Sequence, residues 1–328
     1  MAEAAITIIG LGKLGSSIGL ALKTPELDFE VIGHDKDGEV SKRARTMGAV
    51  DRTSWNLLAA CEQADIVVLA IPFDQVRETL KAIGPELRPG CVVLDTSPLK
   101  QPVMAWAAEY LGEGIHFVGI SLGINPEAAL DIASGPAGAR VDLFADSPCC
   151  LMPAPNCLPE AVKTAQDFAT LLGATPHFVD PVEYDGLSTA VNLMPGLLSA
   201  ALFGPITRSP GWREMRRLSS NDLVRFSEPL TAGGAAMARA AILSRGNVLL
   251  WLDAAIAELE TIREQVNQEQ EDALSDQIGE SFDAREEWLV DWGLNRWEKR
   301  SRPKIPTGGG LFGQMFGFRS RRRPSDEK

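Results

Sequence analysis

The chain is short of histidine. Only His34, His116 and His177 occur among its 328 residues, so few places can host general acid–base chemistry near neutral pH. Its five cysteines (Cys61, Cys91, Cys149, Cys150 and Cys157) are an odd set without a C-x-x-C pair. That excludes a disulfide framework or a zinc ribbon and reads as free thiols in a reducing compartment. An excess of basic residues is also lacking: 32 Lys and Arg stand against 44 Asp and Glu, a net charge of −12, which argues against nucleic acid as a partner. No apolar run in the sequence approaches the roughly 18 residues of a membrane span, so none is expected. The opening Met-Ala-Glu-Ala-Ala places no basic segment before its short apolar stretch, so no secretory signal is read and the expected location is the cytoplasm.

What is present is enough apolar residue, 45%, for a substantial core, and a length that suggests two domains. The first half alternates apolar runs with amphipathic stretches. Residues 6–9, 30–33, 66–71, 91–95 and 117–120 read as strands, and continuous runs such as Ile66-Val67-Val68-Leu69 suit strands buried on both faces. The expected fold class is therefore α/β, an N-terminal Rossmann-type doubly wound parallel sheet. Two further strands are read at 149–152 and 177–179, with a helix over 158–172 between them, closed by Gly173.

Beyond Asp180 the strand signal stops. Leu252, Ile256, Leu259, Ile262 and Val266 draw one apolar stripe on a long helix, and Leu187, Val191, Met194, Leu198 and Leu202 draw another. The expectation is an all-helical domain that hides these stripes in a homodimer. The expected domains are residues 1–180, 181–300 and a tail from 301, disordered and basic with seven Lys and Arg against two acids. The tail's apolar residues between Leu311 and Phe318 offer a contact for a partner or an anionic surface.

Gly10-Leu11-Gly12-Lys13-Leu14-Gly15 places G-x-G-x-x-G between a strand and a helix. Gly10 lets the chain turn, Gly12 lets a pyrophosphate approach the backbone, and Gly15 lets helix and strand pack closely. The helix start adds unpaired N–H groups and a favourable dipole. The second strand ends in His34-Asp35, where an acid can bind both ribose hydroxyls of an adenosine. Strand, glycines, helix and acid agree on a dinucleotide. Asp35 favours NAD over NADP because its carboxylate repels a 2′-phosphate, with Lys36, Lys42 and Arg43 near enough to soften that preference.

Ligands in such sheets lie beyond the carboxyl ends of the strands, which brings in two later loops, Ala70-Ile71-Pro72 and Asp95-Thr96-Ser97-Pro98-Leu99-Lys100. Thr96, Ser97 and Lys100 are candidates for nicotinamide ribose or substrate contacts. Ser97 equally fits a helix N-cap followed by Pro98 at the first helical position.

On these residues the sequence resembles the prephenate/arogenate dehydrogenase family over roughly residues 4–290. The likeness runs through the glycine turn with Ser16-Ser17, Leu69-Ala70-Ile71-Pro72, residues 95–100 and Phe117-Val118-Gly119. It continues in Leu143-Phe144, Leu171-Leu172-Gly173-Ala174 and Asn192-Leu193-Met194-Pro195. The resemblance implies a Rossmann-type domain joined to a helical dimerisation domain, a small-molecule substrate, and oxidative decarboxylation of prephenate or arogenate on the way to tyrosine.

The family's catalytic pattern does not carry over. Ser121 stands where members read histidine in Phe-Val-Gly-x-His-Pro. Asn192-Leu193-Met194-Pro195-Gly196 stands for Ser-His-Leu-Pro-His and lacks both histidines. Pro98 replaces the serine before Lys100, and the carboxylate-gripping arginine aligns near Leu230-Thr231-Ala232, flanked by Arg225 and Arg239. The lysine that related β-hydroxyacid dehydrogenases carry on the first long helix is absent from 187–202. General base catalysis typically supplies roughly 10²–10⁴-fold, and serine cannot replace histidine directly. His34, His116 and His177 read as satisfied structural histidines. Pro195 frees a carbonyl near Val191, which with Asn192 makes a polar spot facing the crevice. Lys100, Ser121 and Asn192 are the groups left to orient a substrate. Two functions follow: a nicotinamide-dependent dehydrogenase with altered chemistry or substrate, or a non-catalytic NAD(H)-binding dimer that senses or regulates.

Overall fold

A computed structural model describes residues 4–23, 29–129 and 133–294. One eight-stranded sheet comprises β1 (Ala4–Ile9), β2 (Phe29–His34), β3 (Arg52–Thr53), β4 (Ile66–Leu69), β5 (Val92–Asp95), β6 (His116–Leu122), β7 (Pro148–Pro153) and β8 (Thr175–Phe178). The order is β3-β2-β1-β4-β5-β6-β7-β8. Every pair is parallel except β6 with β7. The chain leaves β1 to build outward on one side through β2 and β3, then returns to build the other side from β4, and the reversal opens a crevice beyond the carboxyl ends of β1 and β4.

Between the strands lie α1 (Lys13–Ala21), α2 (Gly38–Thr46), α3 (Leu57–Cys61), α4 (Phe73–Ile83), α5 (Gln101–Tyr110), α6 (Pro126–Ala129) and α7 (Pro159–Leu171). Alternate residues of each strand feed opposite core layers. Ile66 and Val68 join Leu94, Val118 and Phe168 on one face, while Val67 and Leu69 join Val93, Phe117, Leu80 and Trp106 on the other. Gly173 ends α7 with a left-handed φ of 78°, as its place after the helix predicts.

After β8 the described chain is helical: α8 (Pro181–Ser188), α9 (Met194–Arg208), α10 (Trp212–Leu218), α11 (Asn221–Ser227), α12 (Gly234–Leu243), α13 (Arg245–Asn267) and α14 (Glu271–Gly293). Leu193, Ala240 and Val248 join the core layer shared with α4 and α5, so the helical part is seated on the sheet domain. The tail expected from residue 301 lies outside the described residues.

The structure departs from the sequence reading in four places. The two-residue β3 escapes a hydrophobic-run argument because Arg52-Thr53 is polar and lies at the sheet edge. The helix after β5 begins at Gln101, so Ser97 is not its cap and Pro98 is not its first residue; Pro102 takes the early helical place. A π-helical turn at Thr189–Leu193 separates α8 from α9. It rotates the positions read as one stripe, burying Met194 while Leu187, Val191 and Leu202 stay exposed. Finally, the helical run Pro181–Arg208 is long and apolar enough to cross a membrane, contrary to expectation, with 33% of its most apolar window buried. Its first turns are docked on the sheet domain by Asp185 and Ser188, as described below.

Candidate active site

At the end of β1, Gly10 adopts a φ of 92°, a region that favours glycine. A Cβ there would run into the Ala70 carbonyl oxygen and lie 2.9 Å from the Ile71 side chain, so the loop after β4 packs against the turn. The Ala70 N–H donates to the Ile9 carbonyl at 2.8 Å. A Cβ on Gly15 would strike the Gly10 carbonyl oxygen, which fixes α1 against the strand. Gly12 is different: a Cβ added there meets nothing within 4 Å. Gly12 is the N-cap of α1, no side chain caps that terminus, and its first turn carries no acid. A helix start with open space in front of it suits a pyrophosphate, so the observed cradle fits a dinucleotide.

Asp35 closes this end. Its Oδ2 accepts the Leu11 N–H at 2.8 Å, and its Oδ1 accepts the Asp37 N–H at 2.9 Å. A carboxylate has about four acceptor positions, so two remain for ribose hydroxyls. His34, beside it, uses Nδ1 on the Ser54 carbonyl at 2.9 Å. Lys13 and Leu14 begin α1. Pro72 precedes α4 in an extended conformation.

The loop after β5 turns inward. Thr96 Oγ1 donates to the Leu69 carbonyl at 2.8 Å, and Ser97 Oγ donates to Asp95 Oδ1 at 2.6 Å. Lys100 is fully buried, and its ammonium donates to the Asp95 and Ile120 carbonyls, each at 2.8 Å, and to Asp95 Oδ2 at 3.3 Å. Its three N–H groups are thereby occupied. Gly119 makes room for the stem, since a Cβ there would lie 2.8 Å from Lys100 Cδ. Lys100 therefore sits beneath the crevice and neutralises the buried Asp95 carboxylate; the expectation that it reaches a substrate is corrected.

Ser121, next to the last residue of β6, is half-buried at the strand's carboxyl end. Its Oγ accepts the Tyr184 hydroxyl proton at 2.9 Å. The next residue, Asp185, is buried and ties α8 to the start of α5: Oδ1 accepts the Lys100 N–H at 2.6 Å and Oδ2 the Gln101 N–H at 3.0 Å. Burial pushes the Asp185 carboxyl above its ordinary range, against the lowering effect of those two N–H donors and of Lys100. Ser188 Oγ donates to the Pro98 carbonyl at 2.9 Å, and Asn192 Nδ2 donates to Ser188 Oγ at 3.1 Å. Asn192 lies in the π-helical turn and is exposed. Ser121 and Asn192 are thus brought to one side of the crevice, each through a neighbour the sequence reading did not name. Asp180 caps α8 and Pro181 follows at its first position, which is the signal that could have drawn attention to Tyr184 and Asp185.

The remaining histidines stand apart. His116 begins β6 at the opposite end of the strand, buried, with an Nδ1 that has no partner among the described residues; His177 is exposed on β8. Of the three, only His34 is shown with a hydrogen bond to its ring, so the expectation of satisfied structural histidines fails at His116. All five cysteines are free. Burial pushes the thiols of Cys61, Cys91 and Cys149 up to about 12, which leaves them unreactive near neutral pH.

Residues 18–177 match the family described as prephenate dehydrogenase, nucleotide-binding domain. The chain is 27% identical over 239 residues to a prephenate dehydrogenase of Lactococcus lactis subsp. cremoris, covering 69% of this chain and 64% of that protein. It is 26% identical over 285 residues to a cyclohexadienyl dehydrogenase of Zymomonas mobilis subsp. mobilis, covering 85% and 94%. A crystal structure of prephenate dehydrogenase from A. aeolicus, in complex with hydroxyphenyl propionate and NAD+, shares the fold with a TM-score of 0.74 at 19% identity, over 88% of this chain and 99% of the other.

Proposed function

The chain belongs to the prephenate/arogenate dehydrogenase family, and from that premise we propose that it is an NAD-dependent dehydrogenase of a prephenate- or arogenate-like hydroxy acid. The observation that carries this reading is the cradle at Gly10, Gly12 and Gly15, two glycines demanded by packing and one facing open space, latched by Asp35. The glycine turn and the α1 N-terminus would hold the pyrophosphate, and Asp35 the adenosine ribose, with NAD preferred over NADP. Bound there, the nicotinamide supplies a hydride acceptor. The chain's own contribution at the other end is an uncharged set of hydroxyl and amide groups: Tyr184 on Ser121 of β6, and Asn192 on Ser188, which is tied to the Pro98 carbonyl of the loop after β5.

Titration of the protein with NAD+ and NADP+, followed by assay with prephenate and arogenate, tests the reading. NAD+ binding tighter than NADP+, with weak turnover of one of the two substrates, is expected. Failure to bind either nucleotide overturns it. A second reading, a non-catalytic NAD(H)-binding regulatory or sensor protein, is favoured by Ser121, Leu193 and Gly196 standing where the resemblance puts the family's histidines. It predicts nucleotide binding without turnover of any hydroxy acid offered.

The active unit is proposed to be a homodimer. No residue of α14 is buried, and on α13 only Val248 is, while Ile256, Leu259, Val266, Ile278 and Phe282 are all exposed. Long helices with open apolar positions bury them against a partner. Sedimentation should give twice the monomer mass, and Leu259→Asp should halve it, because burying an unpaired carboxylate is costly.

A further inference from the structure

We propose that a cavity at the amino end of β6 is a second ligand site, which takes a neutral aromatic molecule of two fused rings bearing one N–H or O–H. It lies away from the nucleotide crevice and stands independently of the dehydrogenase reading.

The cavity has a volume of about 300 Å³. One wall is the face of α5 that carries Met104, Ala107 and Ala108 and ends at Leu111, residues spaced three and four apart. Ile115 and Phe117, both buried, form the floor, and the loop after β7, from Ala154 to Asn156, forms the opposite wall. That loop is fixed to the floor, since the Ala154 N–H donates to the Phe117 carbonyl at 2.9 Å. Phe117 is the second residue of β6 and Ser121 the sixth, so at about 3.3 Å per residue roughly 13 Å of strand separates the cavity from the crevice.

Size and chemistry select the occupant. An apolar cavity of about 150 Å³ holds benzene, so twice that volume suits two fused rings. None of the lining side chains carries a charge, although 23% of the chain's residues do. A carboxylate or ammonium placed there would be left unpaired, so the ligand is neutral. The Met104 thioether and the Phe117 ring both gain from an aromatic partner. Asn156 supplies the polar handle: its side-chain amide has no hydrogen-bond partner among the described residues and offers both an acceptor and donors. Alanines at 107 and 108 leave open the space that longer side chains would fill.

The test titrates indole and benzofuran, which carries oxygen in place of the indole N–H, into the full chain with and without NAD+. Indole should bind with a dissociation constant of about 0.1 mM, the scale for so small a ligand, and benzofuran about 5-fold more weakly, the scale of one hydrogen bond. NAD+ should change neither value. Ala108→Leu, at an exposed helix position, should weaken both ligands by roughly tenfold or more without lowering the melting temperature, because the added side chain fills the cavity. Asn156→Ala should bring the two ligands to equal affinity. Loss of indole binding on addition of NAD+ overturns the proposal, since it places indole in the crevice. Unchanged binding by Ala108→Leu, equal affinity for the two ligands in the unmodified protein, a preference for indole that survives Asn156→Ala, or no binding of indole at millimolar concentration each overturns it as well, and all of these leave the dehydrogenase reading standing. If Ala108→Leu does not fold, Ala108→Met decides the matter.

Discussion

Around β1 and β2 the crevice is shaped by main chain: a left-handed glycine, a helix start with open space before it, and an acid that holds the loop by one N–H. Around β5 and β6 it is shaped by side chains from distant segments, Tyr184 on Ser121, Asp185 on Lys100 and Ser188 on Pro98, separated by 63, 85 and 90 residues. The first kind of site tolerates change in most side chains but none in a few backbone positions. The second can exchange its chemistry while its scaffold stays put.

If side chains carry the second end, the largest effect belongs to Lys100. Lys100→Met leaves the Asp95 carboxylate buried with only Ser97 to satisfy it, and removing one partner of a buried pair costs about 3–5 kcal/mol. Urea or thermal melts should show that loss, and any loss of activity should follow unfolding. A variant of unchanged stability that has lost activity would instead return Lys100 to the substrate's side of the crevice.

Asp185→Ala comes next. It strands two backbone N–H groups at the start of α5, which costs about 2 kcal/mol. Because the folded-state pKa of Asp185 is raised, its contribution to stability is fully present below the unfolded carboxylate pKa, about 3.9, and falls as pH rises through the higher folded value. Melts of Asp185→Asn across that acid window should therefore show a shallower decline with pH than the unmodified protein.

The contrast also explains what could be read from sequence. The strands, the glycine turn and Asp35 are local signals: apolar runs, glycine spacing, and an acid at a strand's end. The pairing of Tyr184 with Ser121 carries no local signal, because each residue is unremarkable in its own segment and the contact exists only once α8 docks on β6. Lys100 was misread for the same reason. A lysine in a crevice loop looks solvent-facing until Gly119, from the neighbouring strand, opens the space into which its stem folds. The π-helical turn was half legible: Pro195 announces a freed carbonyl, but the extra residue in the turn appears only in the backbone.

Main chain and side chain separate cleanly at Gly12. Since a Cβ there meets no protein atom, Gly12→Val should melt close to the unmodified protein yet bind NAD+ at least about tenfold more weakly, or about 1.4 kcal/mol. A drop in melting temperature of the size seen for a core substitution would mean that the space before α1 belongs to the fold and not to a ligand.

The smallest effect is expected at Asp35, where the two modes meet in one residue. Asp35→Asn keeps one amide oxygen for the Leu11 N–H and releases the exposed Asp37 N–H to water, so the glycine loop should stay latched and stability should move by no more than about 1 kcal/mol. What changes is charge. The carboxylate repels a 2′-phosphate and accepts ribose hydroxyls; the amide repels nothing and accepts less. NAD+ affinity should therefore fall while NADP+ affinity rises, closing the gap between them severalfold in paired titrations at one ionic strength, since salt screens such exposed charges. An unchanged ratio would mean that Asp35 serves the loop alone and that the choice of nucleotide rests with Lys36, Lys42 and Arg43.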